Sequence, residues 1–165
     1  MAMANRLSDV LLEQLSVLKE LEQALQDEQK AIVSLNTPMM EALNSQKEQL
    51  VNRQRKVAET LRTVMADTAT QLGLLTSISL TDMLHKMPTA MRAQVEPLQQ
   101  ATKQAGSAVS VLANQNREML EQFLGVVNES LGFILRIVNA SNTYGARGTY
   151  LSNAQTSAVM VNREA

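Results

Sequence analysis

Residues 6–38 read RLSDVLLEQLSVLKELEQALQDEQKAIVSLNTP. Apolar residues fall at Leu7, Leu11, Leu15, Leu18, Leu21, Leu25, Ile32 and Leu35, at spacings of four, four, three, three, four, seven and three. That rhythm predicts an α-helix over about residues 5–35 with one seam turned to a partner. Asp9, Glu13, Glu20, Glu22, Asp27 and Glu28 outnumber Arg6, Lys19 and Lys30, so the outer face is expected to be acidic and solvated. Asn36-Thr37-Pro38 stops this helix and starts another: proline suits a first helical turn, and the Thr37 hydroxyl is placed to cap it.

The second helix is expected over about residues 38–72, with a seam of Leu43, Leu50, Val57, Leu61, Val64 and Leu72 and with Gly73 as the left-handed residue that closes it. So short a connection between long helices implies an antiparallel hairpin, the arrangement that buries both seams. Lys47, Arg53, Arg55, Lys56 and Arg62 face only Glu48 and Glu59 in charge, so a basic helix lies beside an acidic one. Ser79 followed by Asp82 resembles a capping box opening a short helix over about 80–87, which Pro88 ends.

From about 90 to 140 a near-heptad rhythm continues through Met91, Val95, Leu98, Ala105, Val109, Leu112, Asn116, Met119, Phe123, Val127, Leu131, Ile134 and Val138. Pro97 means that the regular helix starts there or that its first turns are kinked. The stretch from Gln99 to Gln115 is rich in Ala, Ser, Thr and Gln and offers little apolar area. Asn116 is either a buried polar residue that fixes register or one tilted towards water. The fold class is therefore all-α: an elongated antiparallel hairpin plus a long third helix, as a three-helix bundle or coiled coil. It is expected to form one domain over residues 1–140, with a mobile tail over 141–165, where small polar residues prevail.

Composition limits the chemistry. In 165 residues, aromatics are 2% and glycine and proline number 6 and 3, too few for the turns and strands of a β-sandwich. With no cysteine and one histidine, His85, neither a thiolate zinc site nor a two-histidine metal site is available, and no metal or cofactor is expected. No phosphate loop, zincin motif or nucleophile elbow occurs, so an enzyme is not expected. A net charge of −1 gives no excess to neutralise nucleic acid. The N-terminus has no export-signal pattern and charges interrupt every long apolar run, so cytoplasmic residence without a membrane span is expected.

A binding surface is better supported. Twelve of the twenty residues from Met119 to Val138 are large and apolar. At 100° per residue they cover an arc of roughly 200°, about twice what packing on a hairpin uses. A third helix of about fifty residues beside shorter arms should overhang by up to about fifteen at its C-terminal end. The surplus face is either covered by the short helix, the tail or a second copy, or it receives an amphipathic helix from a client. Leu120, Phe123, Leu124, Val127, Leu131, Ile134 and Val138 are the candidate client-binding residues. All four aromatics, Phe123, Phe133, Tyr144 and Tyr150, fall in this stretch or just after it, as interface anchors do.

LLEQLSVLKELEQALQDEQKAI at 11–32, EALNSQKEQLVNRQRKVAETL at 41–61, NREMLEQFL at 116–124 and YGARG at 144–148, in that order, resemble the FlgN-type flagellar export chaperones. The resemblance implies a small cytosolic all-helical chaperone of a type III secretion system. Such proteins bind hook-associated proteins, keep them from assembling and deliver them to the export apparatus. Asn116, Met119 and Leu120 match the family's Asn-x-x-Leu-Leu-like signature, with methionine in place of the first leucine. Tyr144, Gly145 and Gly148 match its Tyr-Gly-x-x-Gly tail, a region suited to client or export-gate contact. The implied protein is a monomer or weak homodimer. The rival reading is a structural or regulatory coiled-coil protein that homodimerises through its long helix; a receptor-signalling helix, suggested by residues 99–112, lacks the membrane span it would need.

Overall fold

The computed structural model describes the backbone of residues 2–141 and the side chains of residues 5–138. Among the described residues the protein is all-α, a helical bundle of four helices without strands. In chain order these are α1 (Ala2–Val33), α2 (Thr37–Gln71), α3 (Leu80–Lys86) and α4 (Thr89–Ser141). The chain divides into two compact units, one through Leu120 and one from Glu121, with α4 contributing to both. The expected tail lies outside the described residues except for Ser141.

Helices α1 and α2 form the expected antiparallel hairpin. Glu13 and Glu20 both reach Arg53, Glu28 pairs with Lys47 and Arg6 with Asp67, so numbers rise on one helix as they fall on the other. The exposed pairs are each worth about 0–1 kcal/mol and set register more than stability. The apolar seams hold the hairpin. Leu43, Leu50, Val57 and Val64 recur every seventh residue and are all buried, as are Leu7, Leu11, Leu18, Leu21, Leu25 and Ile32. One core joins Leu7, Leu11 and Leu21 to Leu50, Val57 and Val64, and takes in Met83 and Leu84 of α3 and Val95 of α4. Lys30 and Gln23 bond the Asp27 carboxylate on the outer face of α1 and hold its pKa below the usual value.

Both hairpin helices end in the same way, with different residues. After α2, Gly73 takes φ +68°, its N–H reaches Thr70 O at 3.1 Å and the Leu74 N–H reaches Ala69 O at 2.8 Å. This is a Schellman close on the glycine that the sequence marked. After α1, the Leu35 N–H reaches Ile32 O at 3.1 Å and the Asn36 N–H reaches Ala31 O at 2.9 Å, with Leu35 itself at φ +52°. A leucine thus occupies the left-handed position, which costs a residue with a Cβ about 1–2 kcal/mol. It corrects the expected seam: α1 stops at Val33, and Leu35 is 56% exposed. The cap of α2 is also corrected. The Asn36 side chain, not Thr37, accepts from the Met39 N–H at 3.1 Å, because α2 begins at Thr37 and the residue before it holds the capping position.

Ser79 caps α3 with one hydroxyl acting both ways: it accepts from the Asp82 N–H at 3.1 Å and donates to Asp82 Oδ2 at 2.6 Å. The helix ends at Lys86, and Met87 turns extended before Pro88. Arg92, in the first turns of α4, donates to the Leu84 and His85 carbonyls at 2.8 and 3.0 Å and so satisfies the end of α3. Helix α4 starts at Thr89 and runs through Pro97, which rules out a start at the proline. Proline has no N–H to offer the Ala93 carbonyl, and the flanking Val95 and Leu98, packed on the core, hold the helix there instead.

Candidate docking surface on the last helix

Within the unit that begins at Glu121, α4 carries its large apolar residues in the open. Leu124, Val126, Leu131, Phe133, Ile134, Leu135, Ile137 and Val138 are all between 49% and 64% exposed. No residue of 121–138 is buried. At 100° per residue these side chains fall into two bands. A broad band holds Leu120, Phe123, Leu124, Val127, Leu131, Ile134, Leu135 and Val138. A narrower band, adjoining it, holds Met119, Val126, Phe133 and Ile137. The remaining third of the circumference carries Glu121, Gln122, Asn128, Glu129 and Arg136, together with Gly125 and Gly132.

The sequence-derived candidates all lie in the broad band. Leu120, Phe123 and Val127 are half-buried, while Leu124, Leu131, Ile134 and Val138 are exposed. Val126, Phe133 and Ile137 lay outside the candidate set although the same 100° spacing identifies them. Tyr144, Gly145 and Gly148 lie outside the described residues. Two glycines and five β-branched residues give 121–138 modest intrinsic helix propensity, and its packing adds little. Such a segment gains most from a partner that covers the apolar bands.

Asn116, one turn before this stretch, is only 2% exposed. Its Nδ2 donates to Leu25 O at 2.8 Å and to Glu28 Oε2 at 2.9 Å. The other carboxylate oxygen of Glu28 takes Lys47 Nζ from α2. Asn116 is thus buried and not tilted towards water. Glu28, assigned from sequence to the solvated acidic face, is instead 5% exposed. The signal lay in the seven-residue gap between Leu25 and Ile32, because a helix that keeps its seam turns residue 28 inward.

Among the described residues no helix is long and apolar enough to cross a membrane. No group of three or more metal-ligating side chains occurs among them. What the arrangement offers chemically is apolar area along a helix, suited to side-by-side packing with another helix. A protein-family model described as FlgN protein matches residues 1–152 of the chain. No curated protein and no solved structure matches it.

Proposed function

The chain belongs to the FlgN family of flagellar export chaperones, and from that membership we propose that it binds the helical terminus of flagellar hook-associated proteins in the cytoplasm, prevents their premature assembly and delivers them to the type III export apparatus. The observation that carries the client-binding reading is the open apolar surface of α4 from Leu120 to Val138. A client helix whose apolar face would otherwise meet its own kind packs against the broad band and is hidden until delivery. Leu120, Phe123, Leu124, Val127, Leu131, Ile134 and Val138 are the proposed contacts. Phe133 and Ile137 extend the surface into the adjoining band. Tyr144, Gly145 and Gly148 are proposed to meet the export gate or the client.

Phe123→Asp and Leu131→Asp, each placing a charge where the client's apolar residues dock, should lower affinity for a hook-associated protein by at least about 100-fold. Titration with the purified client, alongside circular dichroism showing helix content retained, measures this. Normal binding by both variants would remove the proposed site. The homodimer reading uses the same surface and is separated by mass in solution: a dimer independent of concentration, with 121–138 protected from hydrogen exchange, favours it over a client chaperone.

A further inference from the structure

We propose that the cluster of buried Glu28 and Asn116 with half-buried Lys47 is a polar latch holding residues 100–120 of α4 on the α1–α2 hairpin, so that this stretch lifts as a unit when the latch breaks. The cluster joins three helices at one point. The Asn116 amide donates to the Leu25 carbonyl and to the Glu28 carboxylate on α1, and that carboxylate is neutralised by Lys47 from α2. Glu28 and Asn116 are both more than nine-tenths buried, and Asn116 Oδ1 is sealed from solvent with no protein donor. A buried carboxylate that loses one of its two partners is left poorly compensated, so the contact is made fully or given up.

The stretch between this cluster and the start of α4 has little else to hold it. At its beginning α4 is anchored by Val95 in the core, by Arg92 on the end of α3 and by Gln99 bonded to Thr81 at 2.8 Å. From there to Asn116 only Ala105 is buried, while Val109, packed on the core, and Leu112 are half-buried. Helices α1 and α4 run parallel here: Leu25 and Glu28 meet Asn116, while Ser8 and Asp9 line one concavity with Pro97 and Leu98. That constant offset brings Gln14 level with Thr102. Ser8 Oγ, Gln14 Oε1 and Thr102 Oγ1 are all shielded from solvent without a protein partner. Polar atoms thus interrupt this part of the α1–α4 seam, whose apolar members on α4, Ala105 and Val109, are smaller than the leucines that line the α1–α2 seam. Loosely held chain of this kind opens locally, below the free energy of global unfolding. The latch closes its far end.

Hydrogen exchange on the full chain tests the latch. Asn116→Asp sets a second carboxylate against Glu28 and should speed exchange of amides 102–119 by on the order of tenfold or more, leaving 91–98, 11–21 and 50–64 unchanged. Lys47→Met, on a different helix, should speed the same α4 amides. The double variant Glu28→Gln with Asn116→Asp should restore part of the protection, because the amide introduced at 28 donates to the carboxylate introduced at 116 while its carbonyl still accepts from Lys47; the bond from residue 116 to the Leu25 carbonyl stays lost. Unchanged exchange at 102–119 overturns the proposal. So does an equal rise across all helices, which marks global destabilisation, and so does a double variant no better protected than Asn116→Asp alone.

Discussion

Helix α4 supplies both units, and its two portions relate composition to burial in opposite ways. Between Gln99 and Gln115 it is rich in small and polar residues, and it is covered well enough to bury Ala105 and, just beyond, Asn116. Between Glu121 and Val138 it is dominated by leucine, isoleucine, valine and phenylalanine, and none of them is buried. Burial of a helix face is therefore a property of what lies against it. An apolar composition states only what would be gained if something did, at roughly 25 cal/mol per Å² covered.

The difference can be broken most directly by truncating one leucine in each of the two units. Leu11, 1% exposed in the core, should lose about 2–5 kcal/mol of stability on replacement by alanine, through lost transfer energy and the cavity left behind. Leu131→Ala should cost less than about 0.5 kcal/mol. Urea unfolding of the two full-length variants measures both; comparable losses would mean that Leu131 is covered in solution.

A smaller effect sharpens the comparison. Nothing lies within 4 Å of a Cβ added at Gly106, Gly125 or Gly132, so alanine fits at each without a clash. Gly125→Ala and Gly132→Ala should each strengthen the helix locally by about 0.5–1 kcal/mol. The gain should appear as slower amide exchange over 121–138 with an unchanged unfolding midpoint. Gly106→Ala, by contrast, should raise the midpoint. If Gly125→Ala also raises it, the two portions unfold as one.

The smallest effect concerns charge. Arg53 meets Glu13 at 3.9 Å and Glu20 at 3.1 Å, all three partly exposed. Arg53→Ala should cost about 0–1 kcal/mol, and the loss should shrink in high salt. A larger, salt-insensitive loss would show that charge as well as apolar packing distinguishes the first unit. Denaturation at low and high ionic strength gives the answer.

Much of this was legible in the sequence because it is local. The leucine spacing of α1, the seven-residue repeat of α2 and the left-handed Gly73 each follow from a few neighbouring residues and helix geometry. Leu35 was misread because leucine seldom adopts positive φ, so nothing in its chemistry signals a helix end. Glu28 was misread because carboxylates are almost never buried unless paired, and its partners lie 19 and 88 residues away. The open surface of α4 was anticipated from the width of its apolar arc, a quantity counted from sequence alone. That a client covers it is the proposal drawn from family membership, and the experiments above test it.

By itself the sequence determined where the helices run, which faces are apolar and that thiol chemistry has no cysteine to build on. Those features depend on neighbours within a turn or two, and the 3.6-residue period carries them. Only the tertiary structure decided which polar residues leave water and which apolar ones stay in it. A carboxylate such as Glu28 can be buried only where other helices bring a cation and an amide to meet it, and a leucine such as Leu131 remains exposed wherever no helix comes.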